Sequence, residues 1–188
     1  MTPCLAFVAL ATSLASGSPP QQWRDTNGAS ITPLVQKKGH IEVLLFALTD
    51  CPIAISYAPE MHRIIDKYGK KGVAFHVVYV DSDITTEKAM KHLREYAYQC
   101  SAVLDPQHTL AKLAGATTSP EAVVIGPSGA ISYRGRIDDR AVDFGKARPA
   151  PTRRDLRLTL DALLAGKTAP VSHTRCVGCV ISMSKSTK

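Results

Sequence analysis

The sequence predicts an α/β fold in which helices flank a central mixed β-sheet. Residues 41–48 and 73–80 are nearly continuous apolar runs rich in Val and Leu, as is typical of strands buried on both faces of a sheet. Residues 121–136 contain two apolar strands joined across a Gly-Pro-Ser-Gly turn, which predicts an antiparallel hairpin. Helical periodicity between these segments completes the predicted order β-α-β-α-β-α-β-β-α.

The helices are predicted from apolar side chains that recur three or four positions apart. The first helix carries such a stripe and is closed by glycines; its members are Tyr57, Met61, Ile64, Ile65 and Tyr68, followed by Gly69 and Gly72. A second helix is expected over residues 85–97, with Ala89, Leu93 and Tyr96 on one stripe, and with His92, like His62, at the surface. A short strand at 102–105 and a short helix at 108–115 precede the hairpin, and a last helix is expected over 152–165.

Charge alone does not indicate a nucleic-acid partner. The chain has 188 residues, a net charge of +7 and a pI of about 9.3. Its densest basic region, residues 134–157, also contains four aspartates, has little aromatic interleaving and holds no nucleic-acid motif. We therefore expect a solvated surface of mixed charge there.

The N-terminus predicts an export signal. Residues 5–15 form an apolar run too short to span a bilayer and are followed by small residues, although no Lys or Arg precedes Arg24. We assign residues 1–17 to a signal peptide, 18–166 to one domain and 167–188 to a C-terminal tail without periodicity. The protein is expected in the periplasm or secreted, with no membrane span. The mature cysteines would be Cys51, Cys100, Cys176 and Cys179.

Cys51 is the first candidate for chemistry, because it follows the first apolar strand and directly precedes Pro52 and a helix. At a helix N-terminus the dipole and the free N–H groups stabilise a thiolate and lower the cysteine pKa. Proline suits the first helical turn, where its missing N–H costs nothing. Asp50 acts in the opposite direction, because a neighbouring carboxylate disfavours a second negative charge. An inert core thiol is the alternative, and it is the expected role of Cys100.

Three stretches resemble redoxin-domain proteins of the thioredoxin-like superfamily, similar to the alkyl hydroperoxide reductase and thiol-specific antioxidant group. They are TDCPIAISYAPE at 49–60, LDPQHTLAKLAGATTSPEAVVI at 104–125 and YRGRIDDRAVDFGKARPAPTRRDL at 133–156. The resemblance covers roughly residues 41–181 and implies a thioredoxin-like fold with Cys51 as the working thiol. It also implies that Pro120 is the cis proline opposite that cysteine, with Thr118 and Ser119 lining the site.

The motif around Cys51 departs from two familiar patterns. A thioredoxin-type dithiol would have a second cysteine where Ala54 stands, and a typical peroxiredoxin would have Thr or Ser where Leu48 stands. Thr49 could still polarise a peroxide, and Arg136 could serve as a cation beside the thiolate, unless it forms a surface ion pair with a neighbouring aspartate. Both peroxide and disulfide substrates therefore stay open.

The tail cysteines suggest a second thiol for the reaction. The resemblance includes a Gly-Cys pair matching Gly178-Cys179, and a flexible tail can carry Cys179 back to resolve an oxidised Cys51. Cys176 is the alternative resolving thiol. His173, Cys176 and Cys179 also have soft-metal spacing.

We therefore expect an exported thiol oxidoreductase that acts on disulfides or hydroperoxides, needs no cofactor and depends on a thiol reductant or electron-donor protein. One alternative is a copper- or zinc-binding module using Cys51, Cys176, Cys179 and His173. The other is a redox-inert interaction domain whose cysteines only fasten the tail.

Overall fold

The computed structural model describes residues 22–34 and 39–182. The predicted signal peptide, residues 1–17, lies outside the described residues. The strands are β1 (Trp23–Arg24), β2 (Ser30–Ile31), β3 (Glu42–Ala47), β4 (Ala74–Tyr79), β5 (Ser101–Leu104), β6 (Thr118–Ser119), β7 (Glu121–Ile125), β8 (Ile131–Gly135), β9 (Ala141–Asp143), β10 (Lys146–Ala147) and β11 (Cys179–Val180). The helices are α1 (Pro52–Gly69), α2 (Thr86–Glu95), α3 (Thr109–Ala114) and α4 (Asp155–Leu164).

Five strands form the central sheet in the order β5-β4-β3-β7-β8. The strands β3, β4 and β5 are parallel, whereas β7 runs antiparallel to β3 and to β8. The sheet is thus mixed, with helices on both faces, and the predicted fold class is confirmed. The predicted apolar runs are the two strands β3 and β4 at its centre.

The two faces of the sheet form two apolar clusters, because successive side chains of a strand point to opposite sides. Val43 and Leu45 of β3 pack with buried residues of α1, α2 and α4. Leu44 and Phe46 face the other way, towards the shorter helix α3. No helix in residues 22–34 and 39–182 is long and apolar enough to cross a membrane.

His92 departs from the sequence prediction of a surface position. Its side chain is buried, and its Nδ1 lies 2.7 Å from the hydroxyl of Tyr79. Since His92 follows Ala89 by three residues, it lies beside the apolar stripe of α2. The Tyr79 hydroxyl provides the buried imidazole with a hydrogen-bonding partner in the protein interior. Cys100 packs at the edge of the core, as expected, and burial raises the pKa of its thiol to about 12.

The tail beyond α4 is bound to the sheet, whereas the sequence predicted a flexible segment. The N–H of Arg134 donates to the carbonyl of Ser172 (3.0 Å), and the N–H of Thr174 donates back to the carbonyl of Arg134 (3.1 Å). Gly135, at φ +154°, permits this approach, because a Cβ there would lie 2.2 Å from the Thr174 hydroxyl oxygen. The tail is held by backbone hydrogen bonds. Because every residue has these backbone groups, such bonding gives no apolar periodicity by which the sequence could reveal it.

Candidate active site

Cys51 stands at the N-cap of α1, four residues beyond the carboxyl end of β3 at Ala47, and Pro52 begins the helix. The residue is only 1% exposed. Its Sγ donates a hydrogen bond to the carbonyl oxygen of Ser119 at 3.2 Å. The strand-to-helix junction predicted from the sequence thus places the thiol against the segment that precedes Pro120.

The environment of Cys51 favours the thiolate. Burial raises the pKa of this thiol, but hydrogen bonds from the Cys179 thiol, from the backbone N–H groups of Ala54 and Cys179, and from the Ser119 hydroxyl outweigh it. The net result is a pKa below the ordinary cysteine value. Ala54 lies in the first turn of α1, so the contribution of the helix N-terminus expected from the sequence is present. The charge of Asp50 contributes to raising the pKa of Cys179.

The Ser119–Pro120 peptide bond is cis, as the resemblance to redoxin-domain proteins implies. Ser119 is fully buried, and its hydroxyl oxygen accepts the N–H of Leu48 at 2.8 Å. The buried carboxylate of Glu121 accepts the N–H groups of Thr117 (2.8 Å) and Thr118 (3.1 Å). These contacts hold β6 beside the end of β3, with the Ser119 carbonyl facing Cys51.

The tail brings Cys179 to the same place. Strand β11 pairs antiparallel with β6, so that Cys179 lies opposite Ser119 and Val180 opposite Thr118. The N–H of Ile181 donates to the carbonyl of Thr117 at 2.9 Å, which extends the pairing by one residue. Since Ser119 also accepts the hydrogen bond from Cys51, one residue contacts both cysteines.

Cys179 has the opposite acid–base character to Cys51. Burial, the hydrogen bond with Cys51 and the negative charges of Cys51 and Asp50 raise the pKa of the Cys179 thiol to about 12. Of the two thiols, Cys51 is therefore the one that loses its proton more readily.

Cys176 lies in a different environment. Burial and the charge of Glu121 raise the pKa of its thiol to about 12, while the nearby guanidinium groups of Arg134 and Arg136 lower it. His173 is exposed and forms a backbone bridge with Arg134. Within residues 22–34 and 39–182, no three His, Cys, Asp or Glu side chains form a group that could hold a metal ion. The four ligands of the metal-binding alternative are therefore not assembled.

Thr49 and Arg136 are occupied by other partners. The hydroxyl of Thr49 donates to the Asp81 carboxylate at 2.7 Å, and its backbone N–H donates to the same oxygen at 3.0 Å. The guanidinium of Arg136 donates to the buried carboxylate of Asp155 at 2.7 Å. The partner of Arg136 is therefore neither the Cys51 thiolate nor the neighbouring aspartates considered from the sequence.

The sequence did not single out Asp81, Glu121 or the cleft beside α1. Both carboxylates come at strand boundaries, Asp81 after β4 and Glu121 at the start of β7, but that position alone does not reveal what they bind. The cleft, of about 220 Å³, is lined by the first turn of α1 and by the β9–β10 hairpin, including Pro52, Ile53 and Ala141. It borders the turn that holds Cys51.

Comparison with known proteins agrees with this architecture. A thioredoxin-like family model matches residues 39–131. No curated protein sequence matches the chain.

Solved structures resemble the chain at low sequence identity. An uncharacterized conserved protein from Geobacillus kaustophilus is 24% identical, with 90% of this chain and 91% of that protein covered and a TM-score of 0.76. A hypothetical protein from Sinorhizobium meliloti is 22% identical, with 94% and 98% covered and a TM-score of 0.73. A putative thiol:disulfide interchange protein DsbE from Chlorobium tepidum is 24% identical, with 62% and 79% covered and a TM-score of 0.52. The matched family model identifies a thioredoxin-like domain over residues 39–131, and the fold of the chain is the thioredoxin-like fold.

Proposed function

We propose that the protein is a thiol–disulfide oxidoreductase in which Cys51 is the nucleophile and Cys179 the resolving thiol. The observation that carries the proposal is the register of β11 on β6, which places Cys179 opposite Ser119 while Ser119 accepts a hydrogen bond from Cys51. The opposite pKa shifts of the two thiols support the division of roles. One structural neighbour bears the name of a putative thiol:disulfide interchange protein.

The reaction uses two exchange steps. The Cys51 thiolate attacks one sulfur of the substrate disulfide, forms a mixed disulfide and releases the other sulfur as a thiolate, which takes up a proton. Cys179 then loses its proton and attacks Cys51, which releases the second substrate thiol and leaves a Cys51–Cys179 disulfide. The substrate is reduced by two electrons and the cysteine pair is oxidised by two. A thiol reductant or electron-donor protein restores the pair.

Disulfides rank above hydroperoxides as substrates because the groups expected to polarise a peroxide are engaged elsewhere. Thr49 donates its hydroxyl to Asp81, and Arg136 pairs with Asp155. A peroxide at Cys51 would therefore lack the hydroxyl donor and the cation that the sequence suggested. A slower reaction with hydroperoxides through a Cys51 sulfenic acid stays within the proposal.

Cys176 is the second choice as resolving thiol. It lies three residues before Cys179 but outside β11, so the strand pairing does not bring it opposite Ser119. We propose that it exchanges with Cys179 after the first disulfide has formed, which gives a local Cys176–Cys179 bond as the resting product.

We also propose that the protein works after export, on the basis of the apolar run at residues 5–15. An oxidising compartment would sustain both a cycling and a resting disulfide. N-terminal sequencing of the mature protein from the periplasm or medium tests this, and a mature form that retains residues 1–17 would contradict it.

A single-turnover experiment tests the function. Fully reduced protein is mixed with a small aromatic disulfide, the release of its thiolate is followed by absorbance, and the products are mapped as peptides. We expect two released thiolates per protein and a Cys51–Cys179 or Cys176–Cys179 bond. Cys51→Ser should release almost none, whereas Cys179→Ser should release one and retain a mixed disulfide on Cys51. Undiminished release from Cys51→Ser, or a bond from Cys51 to Cys100, would overturn the assignment.

A further inference from the structure

Cys51 is shielded by its own tail. Although a nucleophile needs access to its substrate, the residue is 1% exposed, and Cys179 of the paired tail strand lies opposite Ser119, whose carbonyl accepts the hydrogen bond of Cys51. The tail also occupies the backbone groups of β6, since β11 pairs with that strand and the Ile181 N–H binds the Thr117 carbonyl. A disulfide substrate can reach the sulfur only after this segment has moved.

The segment Gly178–Ile181 is fitted to β6 by side chains as well as by the backbone. A Cβ at Gly178 would lie 2.0 Å from the Ser119 carbonyl oxygen, so a larger residue cannot occupy that position without displacing the strand. Ile181 is 3% exposed and packs in the apolar cluster that contains Leu44 and Phe46, whereas Val180 is 73% exposed. The position before the cysteine must therefore be small, the position after it is unrestricted, and the next must be aliphatic.

We propose that Gly178–Ile181 is a displaceable strand that occupies the binding edge of a polypeptide partner, and that this partner carries an extended small–Cys–any–aliphatic segment whose cysteine is in a disulfide. The proposal rests on the proposed function of Cys51. A polypeptide of this pattern restores the backbone pairing and refills the Ile181 site as the tail leaves. The free energy lost when the tail leaves is therefore nearly recovered when the partner strand binds. A small disulfide restores neither, and it must wait for the tail to open by itself.

The register also fixes the reacting sulfur. A partner strand that replaces β11 puts its cysteine where Cys179 now lies, opposite Ser119 and beside Cys51. Cys51 attacks that sulfur, the other half of the partner disulfide leaves as a thiolate and is protonated, and a Cys51–partner mixed disulfide forms. When the tail returns, Cys179 gives up its proton, displaces the partner as a thiol and forms the bond with Cys51.

Four matched peptides test the proposal on the full-length reduced protein. The parent is the blocked hexapeptide Val-Gly-Cys-Val-Ile-Ser, with its cysteine in a mixed disulfide with 2-mercaptoethanol. One variant replaces the glycine with valine, a second replaces the isoleucine with serine, and the control replaces the valine after the cysteine with serine. Single-turnover rates are followed by mass spectrometry of the protein.

We expect the parent and the control to react within about threefold of each other. The other two peptides should react about tenfold or more slowly, because the valine clashes with the Ser119 carbonyl and the serine leaves the Ile181 site unfilled; a factor of ten corresponds to about 1.4 kcal/mol. Equal rates for all four peptides would overturn the inference. If the small aromatic disulfide reacts through Cys51 while the peptides are not distinguished, only the inference fails. If neither substrate class reacts through Cys51, the proposed function fails with it.

The tail itself offers a second test that does not depend on the peptides. In Ile181→Ser the tail loses its apolar anchor, so the small aromatic disulfide should react several-fold faster and trypsin should cut sooner after the exposed Arg175. Val180→Ser changes a neighbouring exposed residue and should behave as the wild type. Equal rates for the small disulfide in all three proteins would show that the tail does not shield Cys51.

Discussion

Cys51 and Cys179 both contact Ser119 but differ in burial, in pKa and in the segment that holds them. Cys51 lies between β3 and α1 in the body of the domain, is almost completely buried and has a lowered pKa. Cys179 lies in the tail, is partly exposed and has a pKa raised to about 12. The difference in pKa arises because burial raises the pKa of Cys179 and because the two thiols act on each other: the Cys179 thiol lowers the pKa of Cys51, and a charge on Cys51 raises that of Cys179.

The contrast shows that exposure is a poor guide to which thiol attacks. Thiolate formation depends on the donors around the sulfur, and Cys51 has the backbone N–H of Ala54 and the Ser119 hydroxyl in addition to Cys179. Access to Cys51 depends instead on the tail, which can be changed without altering the helix N-terminus. The tail therefore governs access to this sulfur and also contributes to its acidity, whereas Ala54 and Ser119 in the body of the domain contribute to its acidity alone.

The largest expected effect is the difference in alkylation rate between the thiols at neutral pH. With a pKa of about 12 for Cys179 and one below the ordinary 9.0 for Cys51, the thiolate fractions differ by about a thousandfold or more. We expect iodoacetamide to label Cys51 first among the four mature cysteines, even though brief opening of the tail must precede its reaction. Peptide mapping over time measures this order.

Protein unfolded in urea provides the control for that labelling. There the four thiols should react at similar rates, because the native donors and the burial are gone. Native labelling of Cys100 or Cys179 before Cys51 would contradict the assignment of Cys51 as the nucleophile.

The next effect concerns stability and compares the body of the domain with the tail. Leu44 and Ile181 are buried in the same apolar cluster. Leu44→Ala should lower the free energy of unfolding by about 2–5 kcal/mol, as is usual for a truncated core leucine. Ile181→Ala should lower it by only about 1 kcal/mol or less, because the tail can detach locally while the sheet stays folded. Urea denaturation of both variants measures the two losses.

Trypsin cleavage after Arg175 distinguishes local from global opening in the same two variants. When the two variants are compared at the same free energy of unfolding, Ile181→Ala should speed this cut much more than Leu44→Ala. Equal losses of stability, with no change in cleavage at Arg175, would mean that the tail unfolds only together with the core.

The body of the domain was more predictable than the tail, for a physical reason. The strands β3 and β4 are buried on both faces, so their sequences are continuously apolar, and the strand-Cys-Pro-helix junction at Cys51 is local in sequence. The pairing of β11 with β6 joins residues far apart in the chain through backbone groups that every residue has. Within β11 and its flanking residues, the pairing is reflected in the residues Gly178, which must be small, and Ile181, which is apolar and buried. The partners of Thr49 and Arg136 were hidden for a similar reason, since Asp81 and Asp155 are distant in sequence.

A smaller effect is expected on the pKa of Cys51 when its donor from the tail is removed. Cys179→Ala eliminates the thiol that lowers the pKa of Cys51, and we therefore expect the pKa of Cys51 to rise. The thiolate fraction, and with it the alkylation rate at neutral pH, should fall accordingly. Ultraviolet absorbance of the thiolate as a function of pH measures the shift.

The direction of the Cys51 pKa shift also determines how its contribution to stability depends on pH. Because folding lowers the pKa of Cys51, its contribution to stability is fully present above the pKa of the unfolded chain and is lost as the pH falls through the folded value. Cys179→Ala should weaken this dependence. Cys176→Ala removes a tail cysteine that lies outside β11 and should leave the pKa of Cys51 unchanged; a shift of equal size in that variant would contradict the role given to Cys179.

The smallest effect is expected at Thr49. Its hydroxyl donates to Asp81, so Thr49→Val should cost about 1 kcal/mol of stability for one lost hydrogen bond and change the rate of Cys51 with a small disulfide by less than about twofold. Asp81→Ala is the informative companion, because it leaves the backbone N–H of Thr49 without its acceptor and loosens the loop before Cys51. We expect it to lower both stability and rate more than Thr49→Val. Single-turnover assays with a small disulfide and with hydrogen peroxide, run on both variants, separate the two roles of the threonine. A tenfold or greater loss in Thr49→Val confined to the peroxide reaction would mean that the hydroxyl leaves Asp81 to bind a peroxide, and it would rank hydroperoxides above disulfides as substrates of Cys51.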